Sequence, residues 1–109
     1  MKMKTFDVHT MWGIEKDCTL SVGKYDNNGH IAIQIWCEDG PFATLTVNLP
    51  ATKKLPMNQA FVDTNNFPGG PALIKQLGIG KRIAGSAVSG FCSYPLYEFD
   101  EEALRNWAE

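Results

Sequence analysis

The chain predicts an α+β fold: an antiparallel β-meander of three to five strands, a short helix packed on one face, and a C-terminal helix. Three observations carry that expectation. From His30 to Leu49 apolar and polar residues alternate on both sides of Asp39-Gly40-Pro41, which is the period of half-buried strands. A similar run, Cys18 to Gly23, leads into it through Asn28-Gly29, the favoured pair for a type I′ hairpin. Further on, Pro71 and Gly78 bracket Leu73, Ile74 and Leu77 at helical spacing, with proline at the start and glycine at the end, as a helix prefers.

Lys4 to Val8 reads as a first strand with Phe6 and Val8 on one side. The apolar Met11-Trp12-Gly13-Ile14 extends it, with Gly13 as a bend. Cys18, Leu20 and Val22 form the inward side of the second strand. The even Asp26–Gly29 turn then sets them beside Ile31, Ile33 and Ile35. Parity fixes the next hairpin too, because a slip of one residue moves every side chain to the other face. An odd loop of three to five residues pairs Ile35 with Leu45 and Ile33 with Val47. Pro50 ends this strand, since proline cannot donate to a ladder, and a polar, basic loop runs to Asn58. Ala60 to Asp63 is a short strand stopped at Thr64-Asn65-Asn66. The first helix begins at Pro71 and is capped by Gly78. Residues 80–90 are small and flexible, with a strand through Ala87 and Val88. Ser93 to Phe99 is extended, and Asp100 caps the last helix, where Glu101 and Glu102 complement the dipole.

At 109 residues the chain is the size of one domain, residues 1–109. Its net charge of −2 lacks the basic footprint of a general nucleic-acid binder, so binding to free DNA is not expected. There is no apolar leader at Met1-Lys2-Met3-Lys4 and no membrane-length apolar run. Three widely spaced cysteines suit a reducing compartment, and the expected location is the cytoplasm. The charge is segregated. Residues 51–82 carry five cations against Asp63, whereas the stretch from Glu98 carries five acids against Arg105. These stretches attract each other within the domain, or they form a dipolar surface that steers a partner.

Candidate chemistry is sparse. Gly78-Ile79-Gly80-Lys81-Arg82 has a Gly-Lys pair, but Lys75 and Arg82 stand where a phosphate loop needs glycine and a hydroxyl. Cys18 and Cys37 read as small buried hydrophobes on neighbouring strands. Cys92 lies in an irregular setting and is the thiol to test for reactivity. No metal-ligand spacing is present, so neither metal nor cofactor is expected and no catalytic residue is assigned. Binding remains. The polar face of the meander carries Gln34, Trp36, Thr44, Thr46 and Asn48, with Phe42 at its end, and aromatic residues dominate interface hot spots. That face is either open to a partner or covered by a helix or the C-terminal strand.

Three stretches, Trp36-Cys37-Glu38-Asp39-Gly40-Pro41 through Leu49-Pro50, Ala60 to Asn66, and Ser89 to Asp100, resemble a family of small, largely uncharacterised bacterial proteins. These are carried on conjugative elements, plasmids and prophages. The resemblance runs from about Asn28 to Leu104, and departs from the family at Phe67-Pro68-Gly69-Gly70-Pro71. It implies a role in transfer or in blunting host defence, some small proteins of such elements being anti-CRISPR inhibitors. Three readings follow. The first is a non-enzymatic inhibitor that binds a CRISPR effector nuclease or its guide RNA complex. Its surfaces would be Trp36, Phe42, Thr44 and Thr46, the cations Lys53, Lys54, Lys81 and Arg82, or the acids Glu101 and Glu102. The second is a small-molecule or nucleotide-binding module using Asn65, Asn66, Tyr94 and Tyr97. The third is an enzyme built on Cys92.

Overall fold

The computed structural model describes residues 4–25, 30–49 and 55–108. It contains eight strands and two short helices: β1 (Phe6–Thr10), β2 (Gly13–Lys24), β3 (Ile31–Cys37), β4 (Gly40–Thr44), β5 (Thr46–Val47), β6 (Gln59–Val62), α1 (Gly70–Leu77), β7 (Gly80–Ser89), β8 (Cys92–Phe99) and α2 (Glu101–Arg105). They form two four-stranded antiparallel sheets, ordered β1-β2-β3-β4 and β5-β6-β8-β7. The predicted class is therefore right in outline, but the strands among the described residues number eight rather than three to five.

The β2–β3 register is the predicted one: Leu20 faces Ile35 and Val22 faces Ile33. The Asp26–Gly29 turn that was expected to set it lies outside the described residues. The β3–β4 hairpin differs from expectation. Cys37 pairs with Gly40, so the loop is two residues, Glu38 and Asp39, and not odd. A bulge between Trp36 and Ile35 then adds one residue, after which Ile35 faces Ala43 and Gln34 faces Thr44. Odd positions thus do meet odd ones, two residues away from the predicted pairs. Gly40 supports the tight turn with a φ of 125°, a conformation that side chains rarely adopt.

The larger departure is at Leu45, where the strand expected to run straight to Leu49 breaks. Leu45 donates its N–H to the Ile33 carbonyl (2.8 Å) and accepts from the Asp63 N–H (2.9 Å). Beyond it Thr46 pairs with Val62 and Val47 with Phe61. One fully buried residue therefore ties the two sheets together. Because alternation restarts at this break, Thr46 is buried rather than lying on the outer face. There it accepts the Ile33 N–H (3.1 Å) and shares a hydrogen bond with the Tyr25 hydroxyl (3.0 Å).

The main core lies between the sheets. It gathers Phe6 and Val8, Leu20, the three β3 isoleucines, Val62, Phe99 and Leu104, with Leu73, Ile74 and Leu77 of α1. Helix α1 starts at Gly70, one residue before the predicted Pro71, and ends at Gly78 (φ 67°), whose N–H returns to the Ile74 and Lys75 carbonyls. Its Gln76 amide donates to the Asp7 carbonyl (3.2 Å), linking the helix to β1. Asp100 caps α2 as predicted, accepting from the Glu102 and Ala103 N–H groups at 3.0 and 3.2 Å. After α2 the chain runs beside β2, where Trp107 accepts the Leu20 N–H and stacks edge-on against Phe6. A smaller cluster, Phe61, Tyr94 and Leu96, covers the other face of the second sheet.

Cys18 and Cys37, expected as free buried thiols, form a disulfide. Extending the β2–β3 register by one pair sets them directly opposite, with Cα atoms 4.2 Å apart, and directly opposed strand positions are close enough to bridge. Residues 80–90, expected to be mostly flexible, form β7, whose ladder with β8 runs from Gly80 to Ser89. Met11-Trp12 is the tip of the β1–β2 hairpin rather than a strand extension, because Thr10 pairs with Gly13.

Candidate functional site

The outer face of the first sheet is open. Gln34, Trp36 and Thr44 are exposed on it, Thr19 faces Trp36, and Ser21 faces Gln34. Directly opposed residues share a face, so Trp36 sits among hydroxyls and an amide with 40% of its surface in solvent. An open depression of about 480 Å³ beside it is lined by Thr19, Leu20, Ser21, Val22 and Trp36. Phe42 does not belong to this face. It lies in the β4 bulge and packs edge-on against Phe67, ring centroids 6.0 Å apart.

One end of the same sheet carries a second apolar feature that the sequence reading missed. At the β1–β2 tip Met11 is 87% and Trp12 91% exposed. The tip is nevertheless ordered by hydrogen bonds, since Thr10 Oγ1 accepts the Trp12 N–H (3.1 Å) and donates to the Gly13 carbonyl (3.0 Å). The β7–β8 tip likewise presents Phe91 fully to solvent, with Val88 near it. The missed signal was the Thr-x-x-Gly spacing around Met11-Trp12, a two-residue turn with a side-chain oxygen before it.

Most of the predicted charges on described residues gather at the edge of the second sheet. Lys81 Nζ lies 3.8 Å from Glu98 Oε1. These two line an open depression of about 720 Å³ together with Asn58, Asp100, Glu101 and Glu102. Part of the basic stretch and part of the acidic one therefore meet within the molecule. Arg82, opposite Tyr97 on β8, opens instead toward α1, where Lys75 and Tyr97 line a separate groove with it. Lys53 and Lys54 lie outside the described residues.

Of the residues expected around a small ligand, the Asn66 turn is brought toward Tyr94 by Asp63, whereas Tyr97 lies on the opposite face of the sheet. Asn66 is held by Asp63, whose carboxylate accepts the Asn66 N–H (3.1 Å) and side-chain amide (2.9 Å), so this turn is closed on itself. Tyr94 and Tyr97 are three residues apart on one strand and point to opposite faces, Tyr94 into the small cluster and Tyr97 into the main core. Cys92 packs in the small cluster near Tyr94. Burial pushes the Tyr94 phenol above its ordinary range, and the neighbouring Cys92 and Asp63 act in the same direction. Burial has the opposite effect on His30, lowering its pKa from 6.5, and its Nε2 accepts the Leu55 N–H (3.2 Å). Among the described residues no three His, Cys, Asp or Glu side chains are placed to hold a metal ion. None of the described helices is long and apolar enough to cross a membrane.

Residues 19–109 match a domain of unknown function, DUF4313. The chain belongs to the DUF4313 family. No curated protein and no solved structure matches it. The DUF4313 match begins at Thr19, within β2, and includes the Trp36 face, the Leu45 junction and the β7–β8 hairpin. It leaves out β1 and the Trp12 tip.

Proposed function

We propose that this DUF4313 protein is a non-enzymatic binding protein. It docks a protein partner on the outer face of its first sheet, and that partner is an RNA-guided nuclease of a host defence system. The observation that carries the docking surface is Trp36. A half-exposed indole near the hairpin end of β3 stands on an open strand face, directly opposite Thr19 and next to the Ser21, Gln34 and Thr44 row. Buried aromatic anchors surrounded by polar groups that exclude water are the usual energetic centres of protein interfaces. The ordered Trp12 tip extends the apolar surface at one end of the same sheet. The nuclease as partner rests on the resemblance of the Trp36–Pro41, Ala60–Asn66 and Ser89–Asp100 stretches to proteins of mobile genetic elements.

The test is binding of the purified protein to a guide-loaded CRISPR nuclease, measured for the wild type, Trp36→Ser and Trp12→Ser. Wild-type binding that weakens by about tenfold or more in Trp36→Ser, equivalent to about 1.4 kcal/mol, supports the reading. Binding that is indifferent to Trp36 removes this face from the site, and no binding to any guide-loaded nuclease removes the partner class.

A further inference from the structure

We propose that the open edge of β7 and the groove between β7 and α1 receive an extended acidic segment of a protein partner. The segment adds a strand beside residues 86–89 and sets its carboxylates against Lys75 and Arg82. The inference rests on the reading of this chain as a protein-binding module and assigns it a second contact, away from Trp36.

Backbone geometry comes first. β7 is the outer strand of its sheet, hydrogen-bonded to β8 along one side. Among the described residues no backbone or side-chain group bonds to its other side. An unpaired strand edge is a template for another strand, and proteins usually blunt it with charges, prolines, bulges or a covering element, so the stretch left open here is the one beyond the bulge between Arg82 and Ser86. Here Ile83-Ala84-Gly85-Ser86-Ala87-Val88-Ser89 contains no charge and no proline. Apart from Ile83, which packs against the small cluster, and Val88, which is 73% exposed, its side chains are small. The register shift between Arg82 and Ser86, with Gly85 at φ 119°, takes residues 83–85 out of the regular ladder and separates the neutral edge 86–89 from the cationic Lys81 and Arg82.

Charge then selects the occupant. Lys75 on the last turn of α1 and Arg82 on β7 line an open groove of about 530 Å³, together with Pro71, Ala72, Ile74 and Tyr97. No carboxylate among the described residues lies within 4.0 Å of either cation, whereas Lys81, which also lines the groove, has Glu98 at 3.8 Å. Two unpaired cations beside a concave surface attract anionic groups, and arginine can hold a carboxylate with two parallel hydrogen bonds. An extended peptide satisfies both halves at once: main-chain hydrogen bonds along the neutral edge give affinity, and side chains in the groove give specificity.

The probe is a synthetic fluorescent peptide of alternating valine and threonine with glutamates at one end, titrated by anisotropy. Its controls are the same peptide with lysine for glutamate, and one N-methylated at alternate amides so that it cannot complete a ladder. We expect saturable binding of the acidic peptide that weakens about tenfold or more with each control peptide and in the Lys75→Glu/Arg82→Glu protein. Circular dichroism of that variant should be unchanged, because exposed charges contribute little to folding. The proposal is overturned by absence of binding, by equal binding of the N-methylated or lysine peptide, or by tighter binding of a single-stranded oligonucleotide. Self-association of the protein that Val88→Lys abolishes would also overturn it, assigning the edge to a second copy. A negative peptide result leaves Trp36→Ser binding to the nuclease as an independent measurement, so the two readings fail separately.

Discussion

Leu45 joins the two sheets, and a paired substitution measures how much that junction matters. Leu45 is fully buried, and its side chain lies over Gly70 at the start of α1. A Cβ added at Gly70 would stand 3.2 Å from Leu45 Cδ1 and 3.1 Å from Val62 Cγ1. Leu45→Ala removes three carbons from a site braced by β3, β6 and α1, so little collapse is possible and the loss should be about 3–5 kcal/mol. Gly70→Ala alone crowds two neighbours, a penalty of about 1 kcal/mol or more, offset in part by the stiffer helical backbone. In the double variant one of the two crowded contacts is gone and the new methyl fills part of the cavity. The two changes should therefore be less harmful together than their sum by about 1 kcal/mol. Urea unfolding followed by far-UV circular dichroism gives all four stabilities. A Leu45→Ala loss below about 1 kcal/mol, or strict additivity in the cycle, would refute the packing described at this junction.

Three further outcomes follow from single sites. Reducing the Cys18–Cys37 bond, which closes a loop of 19 residues, should lower stability by about 3 kcal/mol on the chain-entropy estimate. A Cys18→Ala/Cys37→Ala protein should then be insensitive to reductant in the same urea assay. Burial lowers the His30 pKa from 6.5, so just below pH 6.5 the unfolded chain binds more protons than the native one. Stability should be full above that pH and fall as pH drops from 6.5 toward the folded value, and His30→Asn should flatten that part of the profile. Asp100→Ala removes both capping hydrogen bonds of α2 and should lower the urea midpoint by the equivalent of about 1 kcal/mol.

What the sequence made legible was local. Alternation located β2 and β3 and fixed their register, since Leu20, Val22 and the β3 isoleucines have only one parity that keeps them on one face. Capping chemistry placed Gly78 and Asp100, because a left-handed C-cap and an N-terminal carboxylate are signals carried by single residues. What stayed hidden depended on contacts distant in sequence. Alternation continues smoothly from Ala43 to Asn48, so nothing local marks Leu45 as the point where the strand changes sheet. Its break is dictated by β6, and with it Thr46 turns inward. The bulge at Phe42 was masked in the same way, since a two-residue loop plus one extra residue mimics an odd loop. β7 was read as mostly flexible because Gly80–Ser89 is small and glycine-rich. Its order comes from β8, which supplies the ladder that the strand's own side chains do not predict. At the candidate site parity alone assigned Gln34, Trp36 and Thr44 to one face, but misplaced Phe42 and Thr46, which the bulge and the break at Leu45 turn elsewhere. Parity could not say whether that face was open, because the answer lies in where α1 and the C-terminal segment pack.

The most direct test of a non-enzymatic inhibitor is the stoichiometry of nuclease inhibition. Guide-loaded nuclease is incubated with increasing amounts of the protein, and cleavage of a target DNA is measured after short and long preincubation. A binder should inhibit in proportion to the complex formed, reaching its plateau near equimolar protein when both are well above the dissociation constant, with no deepening over time. No inhibition at any ratio would contradict the account, and so would progressive inhibition by substoichiometric protein that Cys92→Ser abolishes.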